Sequence, residues 1–518
     1  MATGRWIGLA LLLLSAPWPA TPRPAATAPA AARVEGPDAW IVYGTPDIPT
    51  RDEGVVGAGS VLAPPRAQPG DPWSSGAAVT IPHALAAGQR FTFAFWAKAA
   101  AAETVPLLFQ ARQPPYSAFL TARVALTPRW RLFVRTAVAP TALAAGTQAI
   151  GLQLGQARSA VALGPVAMFD GPAGPARVAA AFRAFHPDRV AEAVRFSSDP
   201  GVTLAGTLRT PVGHGPGPYP LVIFIQGHGP NGRGYSSPLM DRLLADGIAA
   251  MAYDKRGINQ STGAYSEDVE GLTRDAQAAV AAMRRRPDID GSRIALVGHS
   301  QGGRIAPAVA AADPRIAAIV SFAGPVGDGV DLFRRSMHDQ LILSGRAEAT
   351  VRPLVDAAVA LLEARLAEVG PEAIAPLQAA VIYGFLANGF TRAQAEGALA
   401  AVDQDEIHAI GRTHIASDLA SLRIPVLAVF GSLDPLVTAQ GHSAAARAAL
   451  AHNPKARVVV LDGLSHWFQE GAKTGSEEES KALGQSIGSS RAVALAGDWL
   501  RAALAPASAS PRAPARGR

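Results

Sequence analysis

A serine, an aspartate and a histidine that lie far apart in the chain are the residue types that nucleophilic catalysis needs. Ser300 is the centre of the sequence G-H-S-Q-G over residues 298–302, which follows a short apolar run and precedes a helical stretch. A serine hydroxyl is a weak nucleophile at neutral pH, and it needs a base that is itself oriented by a carboxylate. Asp434 and His466 each follow a later apolar run. The pattern therefore predicts acyl transfer through Ser300, His466 and Asp434.

Two backbone N–H groups are the predicted donors to the oxyanion. Gln301 begins the helix after the serine, so its N–H should point to the place where the oxyanion forms. The second donor is predicted at His228, in the glycine-rich loop Gln226–Arg233 that follows another apolar run. Removal of one such donor costs roughly 3–4 kcal/mol of transition-state stabilisation. The alternative is that this loop is only a tight connection, and it lacks a phosphate-binding fingerprint.

Other ionisable residues compete for these roles. Asp462 is nearer to His466 in the sequence, but Asp434 occupies the turn in which the acid is expected. His299 lies inside the G-H-S-Q-G motif and is predicted to pack under the helix. Two further histidines fall in a helical stretch, where surface or lid packing is expected: His408 and His414.

The elements that must position these residues alternate between strand and helix. Near-continuous apolar strands separated by helices are typical of a mainly parallel sheet that is covered on both faces. The loops that carry the three candidate residues then rise from one edge of the sheet. Strands are predicted at 221–225, 248–253, 294–297, 316–322, 426–430 and 458–461 after an antiparallel pair at 194–197 and 202–208, with helices near 236–246, 268–285, 301–312, 439–451 and 491–504.

The alternation stops between the strands at 316–322 and 426–430. Residues 349–369, 373–386 and 391–401 carry helical periodicity with no strand between them. These residues predict an all-helical insertion over 328–416, in the place where a lid would cover the serine.

The sequence before residue 170 has the pattern of an all-β domain. Alternation of apolar and polar residues is clear at Phe91–Ala97 and Trp130–Arg135. Short strands separated by Gly/Pro turns favour an antiparallel β-sandwich. We therefore predict a sandwich over 37–172, a linker over 173–190 and the α/β domain over 191–505.

Three stretches of the second domain resemble a bacterial branch of the α/β-hydrolase family. Members often show H-G-S-G-P, Y-D-K-R-G-x-G-x-S-x-G and G-H-S-Q-G-G, and this chain has related sequences at 226–230, 253–263 and 297–303. The branch is similar to serine carboxylesterases and serine-aminopeptidase-like hydrolases. The resemblance implies Ser300 and its two partners as catalytic residues, with a helical lid over the sheet.

Three positions depart from the family pattern. Gln226 replaces a histidine, His228 replaces a small residue, and Asn259 replaces a glycine. These departures bear on how the substrate fits more than on the type of reaction. Asp254 and Arg256, in the second motif, are interpreted as structural.

The β domain resembles jelly-roll carbohydrate-binding modules in the order of its pieces, including F-x-F-W-A-K-A and Leu-Thr-x-x-Trp. That resemblance implies contact with a polysaccharide. Four aromatic residues could stack on sugar rings, although the alternative for most of them is packing in the core: Trp73, Trp96, Tyr116 and Trp130.

Composition narrows the classes of function. The 518 residues are 49% apolar and 17% charged, with a net charge of +6 and no cysteine. Disulfides, thiolate metal sites and cysteine nucleophiles are therefore excluded. Only five of the 47 basic residues are lysine, and the arginines form no stripe with interleaved aromatic residues, so no nucleic-acid partner is expected.

The first 33 residues are predicted to be a signal peptide and an Ala/Pro-rich leader. Arg5 precedes an apolar run from Trp6 to Leu14, and small residues and prolines follow. The run is too short for a bilayer span. A periplasmic or secreted protein is expected, with no stable membrane span after cleavage. Residues 506–518 are predicted to be disordered.

The sequence thus predicts an exported serine hydrolase that cleaves small carboxylic esters, with no cofactor and no metal. One alternative is an aminopeptidase-like enzyme, in which acidic residues of the insertion hold the substrate amine: Asp403, Asp405 and Glu406. Another is a deacetylase that holds a glycan with its N-terminal domain.

Overall fold

A computed structural model describes residues 33–506, apart from 82, 113–114, 145, 186–188, 234–237, 403–410, 477–478, 481–482 and 484–486. Residues 1–32 of the predicted signal peptide and leader (1–33), and nearly all of the predicted tail, lie outside these residues. The described part of the chain begins with two antiparallel sheets and continues into a mixed sheet covered by helices.

The N-terminal region is an all-β sandwich, as predicted. One sheet has the order β3-β4-β11-β6-β9, with β1 paired to β11, and the other has the order β2-β5-β10-β7-β8. The strands are β1 (Arg33–Glu35), β2 (Ile41–Tyr43), β3 (Ile48–Arg51), β4 (Gly59–Ala63), β5 (Gly76–Thr80), β6 (Arg90–Ala99), β7 (Glu103–Ala111), β8 (Ala118–Leu126), β9 (Arg131–Val138), β10 (Gln148–Gln153) and β11 (Val161–Asp170).

Alternation of side chains decides which face of each strand is buried. Phe91, Phe93 and Phe95 of β6 point into the space between the two sheets, as their spacing predicted. The Trp40 ring meets the rings of Phe93 and Phe95 edge-on, at centroid distances of 6.2 and 5.5 Å. Aromatic pairs of this geometry add to the stability that burial alone provides.

A helix, α1 (Pro175–Ala184), lies within the predicted linker. Its buried residues Val178 and Phe182 pack on the outer face of the first sheet, where the Phe182 ring meets the Trp96 ring edge-on at 6.2 Å. Much of the segment between the two domains is therefore an ordered part of the sandwich.

The second domain is an eight-stranded sheet of the order β12-β13-β15-β14-β16-β17-β18-β19. The first two strands pair antiparallel, β13 pairs antiparallel with β15, and the remaining pairs are parallel. This is the predicted opening pair followed by a parallel sheet. The strands are β12 (Arg189–Ser197), β13 (Thr203–Pro211), β14 (Tyr219–Ile225), β15 (Ala249–Tyr253), β16 (Ile289–His299), β17 (Ala318–Phe322), β18 (Val426–Gly431) and β19 (Ala456–Leu461).

Helices cover both faces of this sheet because its central strands are apolar on both sides. Leu221, Ile223 and Ile225 of β14 enter one core, and Val222 and Phe224 enter the other. The first core holds α3 (Val269–Arg284), α4 (Gln301–Ala312), α9 (Ile415–Ser421) and α10 (Ala439–Ala449), and the second holds α2 (Pro238–Ala245) and α11 (Ser490–Ala503).

A helical insertion separates β17 from β18, as predicted. It has an apolar core of its own, which includes Phe333, Leu354 and Phe385. The predicted helices match the observed ones to within three residues, but the first helix of the insertion was not predicted. The helices are α5 (Gly329–Leu343), α6 (Glu348–Leu366), α7 (Pro371–Ala387) and α8 (Arg392–Val402). Among the described helices, none combines the length and the apolar character that crossing a bilayer requires.

Candidate active site

Ser300 lies in a strained turn between β16 and α4. The strand ends at His299 and the helix begins at Gln301, so a single residue makes the connection. Its φ of 54° is unusual for a residue with a side chain, and such conformations persist only where the surroundings enforce them. Here the Ser300 N–H donates to the carbonyl oxygen of Phe322 at 2.8 Å. The turn holds the hydroxyl at the carboxyl edge of the sheet.

Glycine is required on both sides of this turn. A Cβ on Gly298 would lie 2.0 Å from the carbonyl oxygen of Gly302, and one on Gly302 would lie 2.1 Å from the carbonyl oxygen of Ile225. Both obstacles are main-chain atoms, which cannot move aside as a flexible side chain could. Strand and helix therefore approach each other closely at this turn.

His466 and Asp434 form a buried hydrogen-bonded pair. His466 Nδ1 lies 2.7 Å from Asp434 Oδ2, and both residues are buried. Asp434 Oδ1 accepts from the N–H groups of Leu436 at 2.8 Å and Val437 at 2.9 Å. Because a carboxylate can only accept, Nδ1 of the imidazole carries the proton, and Nε2 of the neutral ring is left as a base.

The competing acid does not make this contact. Asp462 Oδ1 accepts from the hydroxyl of Ser432 at 2.9 Å. Asp434 follows β18 and His466 follows β19, so the parallel sheet itself brings these two loops together. Of the two candidate acids, the structure pairs Asp434 with the histidine.

His299 ties the loop of His466 to the turn of the serine. Its Nε2 lies 2.9 Å from the carbonyl oxygen of His466 and must donate, since a carbonyl can only accept. Its ring stacks obliquely on Trp467, with a centroid distance of 4.5 Å. Burial lowers the pKa of His299 to about 3, and the charge of His466 acts in the same direction. A neutral His299 avoids repelling a positive charge on His466.

The loop of the predicted second donor runs beside the serine. A Cβ on Gly227 would lie 3.3 Å from Cβ of Ser300. The amide of Asn231 donates to the carbonyl oxygens of Gly227 and His228, at 3.0 and 2.9 Å. With its carbonyl groups held in this way, the loop presents a fixed backbone next to Ser300, opposite the start of α4.

A buried ion pair supports both predicted oxyanion donors. Lys255 is 4% exposed, and its Nζ lies 2.9 Å from Glu267 Oε2 and donates to Gln301 Oε1 at 3.0 Å. Glu267 in turn accepts from the N–H of Gly229 at 3.0 Å and lies 3.5 Å from Nδ1 of His228. One network thus holds the 228–229 backbone and the first residue of α4, and buried networks of this kind rigidify what they join.

The sequence reasoning missed this network. Lys255 stands inside the quoted Y-D-K-R-G motif, which was the one signal available. Glu267 lies in a loop whose sequence has no distinguishing feature.

Two departures from the family pattern have structural explanations. Gln226 Nε2 donates to the carbonyl oxygens of Gly232 at 2.6 Å and Tyr253 at 3.1 Å, so this side chain braces its loop. Asn259 has a φ of 48°, a conformation that glycine adopts freely and asparagine tolerates. Its side chain also donates to Asp254 Oδ1 at 3.1 Å.

Asp254 and Arg256 make contacts that fit a structural role. Asp254 accepts from the N–H of Arg233 at 2.7 Å. Arg256 Nη2 donates to Asp275 at 2.8 Å and to Asp199 at 2.9 Å.

The β domain reaches the same loops. Arg233 is 1% exposed, and its Nη2 lies 2.6 Å from Oδ1 of Asp47 in the β domain. Gln260 Nε2 donates to the carbonyl oxygen of Asp47 at 2.6 Å. No sequence signal singled out Asp47, because pairs between separate domains leave no local pattern.

A cavity of about 370 Å³ lies between the two domains. Tyr43 and Arg112 line it from the β domain, and Gly227, His299 and Trp467 line it from the hydrolase side. The cavity therefore borders the turn that carries Ser300.

Some other candidate residues fall outside the part of the chain that the structure describes. The acidic residues of the aminopeptidase alternative and His408 fall outside the described residues, and His414 is exposed next to the start of α9. Among the described residues, no group of three or more metal-binding side chains comes together.

The four candidate stacking aromatics divide into two pairs. Trp96 is covered by α1, and Trp130 is half-buried with the Lys98 ammonium 5.0 Å from its ring. Trp73 and Tyr116 are exposed, at 63% and 54%.

The chain matches known proteins over parts of its length. AidA, a quorum-quenching protein of Acinetobacter baumannii, is 32% identical over 104 residues, which is 20% of this chain and 34% of AidA. YfhR, an uncharacterised protein of Escherichia coli, is 32% identical over 114 residues, which is 22% of this chain and 39% of YfhR. The chain thus matches little more than a third of the length of either relative.

Likeness to a solved structure and to a family model extends over more of the chain. An esterase of Pyrococcus furiosus superposes with a TM-score of 0.38 and 16% identity, over 65% of this chain and 96% of the esterase. Residues 222–474 match the model of the alpha/beta hydrolase family. This match covers the serine turn, the His466–Asp434 pair and the loops around them, and the α/β region of the chain therefore belongs to the α/β-hydrolase family.

Proposed function

We propose that this protein is an exported serine esterase that cleaves carboxylic esters through an acyl-enzyme on Ser300. The observation that carries the proposal is the buried 2.7 Å contact between His466 and Asp434, in a loop that His299 joins to the serine turn. Export is proposed from the N-terminal sequence pattern alone.

The proposed mechanism follows from the hydrogen bond that His466 already makes with Asp434. With Nδ1 of His466 donating to Asp434, Nε2 is the nitrogen that can take the proton from Ser300 as its oxygen attacks the ester carbonyl. The oxyanion is received by the N–H groups of Gln301 and His228. His466 then gives its proton to the leaving alcohol. Water, activated by the same nitrogen, releases the acid and restores the serine.

The Lys255–Glu267 network supports this proposal because oxyanion donors act best when they are held in place before the reaction. The same network also engages the one carboxylate that these contacts bring to the loop of His228. Glu267 is the carboxylate nearest His228 in the contacts above, and it is already engaged by Lys255 and by the hydroxyl of Tyr265. It is therefore not free to bind a substrate amine.

The helical insertion is proposed to act as a lid. It enters the sheet after β17, whose last residue accepts the hydrogen bond from the Ser300 N–H. An insertion at this point lies beside the edge at which the substrate must arrive.

The decisive experiment compares Ser300→Ala with His414→Ala, a change at an exposed histidine of the insertion region. Ser300→Ala should lower the turnover of short p-nitrophenyl esters by about 10⁴-fold or more and prevent labelling by a fluorophosphonate. Its thermal unfolding should stay close to that of the parent protein, and His414→Ala should keep full activity. Undiminished turnover in folded Ser300→Ala protein would overturn the mechanism, and faster cleavage of aminoacyl anilides than of esters would favour the peptidase alternative.

A further inference from the structure

A groove runs across the outer face of the five-stranded sheet. Alternation places Ala77 and Val79 in the sandwich core and turns Ala78 and Thr80 outward. The floor is built from small residues on neighbouring strands, since Ala78 faces Gly151 across the β5–β10 pair. The space above this floor measures about 730 Å³, within the roughly 300–1,000 Å³ that is common for small-molecule sites.

Exposed aromatic rings and uncharged polar groups line the groove. Trp73 and Tyr116 are more than half exposed, although large aromatic side chains are usually buried. Tyr116 is held at a φ of 53°, and strain of this kind is commonly found at ligand sites. Gln110 and Gln153 line the same groove, and their amides can both donate and accept hydrogen bonds. Flat rings next to amide groups suit a ligand with apolar ring faces and hydroxyl edges, as in a sugar chain.

The groove adjoins the cavity that borders the serine turn. Ile41, Tyr43 and Arg112 line both spaces. From these shared residues the cavity continues to Gly227 and His299. A ligand that lies on the sheet face can therefore extend toward Ser300.

Arg112 places a positive charge at this junction. Its Nη1 donates to the carbonyl oxygen of Gly146 at 2.9 Å, and among the described residues no carboxylate forms an ion pair with it. The acid that lines the same cavity, Asp47, is already paired with Arg233 at 2.6 Å. A guanidinium in this position is suited to a carboxylate on the ligand.

We propose that groove and cavity form one channel that binds an acidic oligosaccharide, in which Arg112 holds a uronate carboxylate and an ester substituent is led to Ser300. The binding stands without the esterase function; only the last step rests on it. In that step the acyl–oxygen bond of the substituent breaks and an acyl–Ser300 bond forms. The sugar hydroxyl leaves with a proton from His466, and water releases the carboxylic acid.

Binding is tested with full-length Ser300→Ala protein, which cannot consume an esterified ligand. Isothermal titration with tetragalacturonate should give an affinity at least tenfold higher than with cellotetraose, a neutral tetrasaccharide. Arg112→Gln in the same background should bring the ratio of the two affinities to about one. Arg112→Lys, which keeps the charge but not the planar fork, should restore part of the preference.

Two further variants locate the ligand. Trp73→Ala and Ala78→Phe should each weaken binding of tetragalacturonate severalfold, the first by removing a stacking ring and the second by filling the floor. Arg183→Gln is the matched control, because Arg183 is an exposed arginine on α1 at the opposite face of the sandwich. It should bind as the parent does.

Equal affinity for acidic and neutral tetrasaccharides, or an unchanged preference in folded Arg112→Gln protein, would contradict the proposal that the channel binds an acidic oligosaccharide. Failure of the esterase proposal has a different signature. In that case charge-selective binding persists, while protein with an intact Ser300 hydrolyses neither simple esters nor acetylated oligogalacturonate.

Discussion

The two regions that could hold a ligand, the carboxyl edge of the parallel sheet and the outer face of the five-stranded sheet, differ in how their side chains are held in place. At the carboxyl edge of the parallel sheet, loops from distant parts of the chain meet, and main-chain and side-chain hydrogen bonds fix the groups there. Ser300 is tied to Phe322, and His299 is tied to His466. On the outer face of the antiparallel sheet, side chains from neighbouring strands stand side by side, and Trp73 has most of its surface in solvent.

This difference teaches where function and stability are coupled. An edge that is assembled from strained turns and buried charges needs the whole fold to maintain it. A face made by alternation needs only the sheet beneath it. Changes to the turn glycines and buried charges of the edge should therefore disturb catalysis and folding together, whereas changes on the face should alter binding alone.

The largest effect is expected from Asp434→Asn, which tests whether the edge depends on one oriented imidazole. The amide can donate to Nδ1 of His466, which would favour the wrong tautomer, so kcat for ester hydrolysis should fall by roughly 10³–10⁴-fold. Asp462→Asn is the control, because Asp462 contacts Ser432 instead. Equal losses in the two variants would show that the wrong carboxylate has been assigned.

A large effect on stability is expected from Gly302→Ala, whose Cβ would lie 2.1 Å from the carbonyl oxygen of Ile225. Separating α4 from β14 should lower the free energy of unfolding by about 3 kcal/mol or more. Gly397→Ala, at an exposed position of α8 with nothing within 4 Å, should instead raise it by about 0.5–1 kcal/mol. Urea unfolding of both variants checks this, and a Gly302→Ala protein as stable as its parent would remove the close approach from the explanation.

The third prediction concerns acid stability. Burial lowers the pKa of His442 from 6.5 to about 4, and the charge of Arg335 acts in the same direction. Between pH 6.5 and pH 4 His442 binds a proton in the unfolded chain but stays neutral in the folded protein. The free energy of unfolding therefore has its full value above pH 6.5 and falls as the pH drops toward 4.

Urea unfolding at pH 7 and pH 4 tests this. His442→Gln should make the fall smaller by on the order of 3 kcal/mol, whereas His452→Gln, at an exposed histidine, should leave it unchanged. The same loss in both variants would mean that another group causes the acid sensitivity.

The smallest effect on stability is expected on the sheet face, and it tests most directly whether the face and the edge differ. Trp73→Ala should change the free energy of unfolding by less than about 0.5 kcal/mol, since its side chain is largely exposed. The same change in the sandwich core, at Phe95, should cost about 3–5 kcal/mol. Comparable losses at the two positions would mean that the face is part of the core after all.

The strands and helices of the α/β region could be predicted because periodicity is local. Helix α4 begins and ends at the predicted residues, and the strand ends fall close to their predicted places. Helix α5 was missed because it buries few residues, among them Leu332 and Met337, and these give a weak periodic signal.

Only those residues of the candidate site that lie in a short sequence motif or directly after an apolar strand could be predicted. Ser300 could be identified from the G-H-S-Q-G motif between an apolar run and a helical stretch, and Asp434 and His466 from the apolar runs before them. The pairs Lys255–Glu267 and Arg233–Asp47 join distant or featureless segments. Their partners are decided by the path of the folded chain, so no local pattern could indicate them.

The contact between Arg233 and Asp47 has a consequence for any attempt to excise one domain. A hydrolase domain produced alone would lose the 2.6 Å contact between Arg233 and Asp47 and would keep the longer contact, 3.6 Å, between Arg233 and Asp254. The loop beside the nucleophile would then loosen, and the wall formed by Tyr43 and Arg112 would be missing. The sandwich thus supplies one wall of the cavity beside the serine turn, and the two domains are expected to work as a unit.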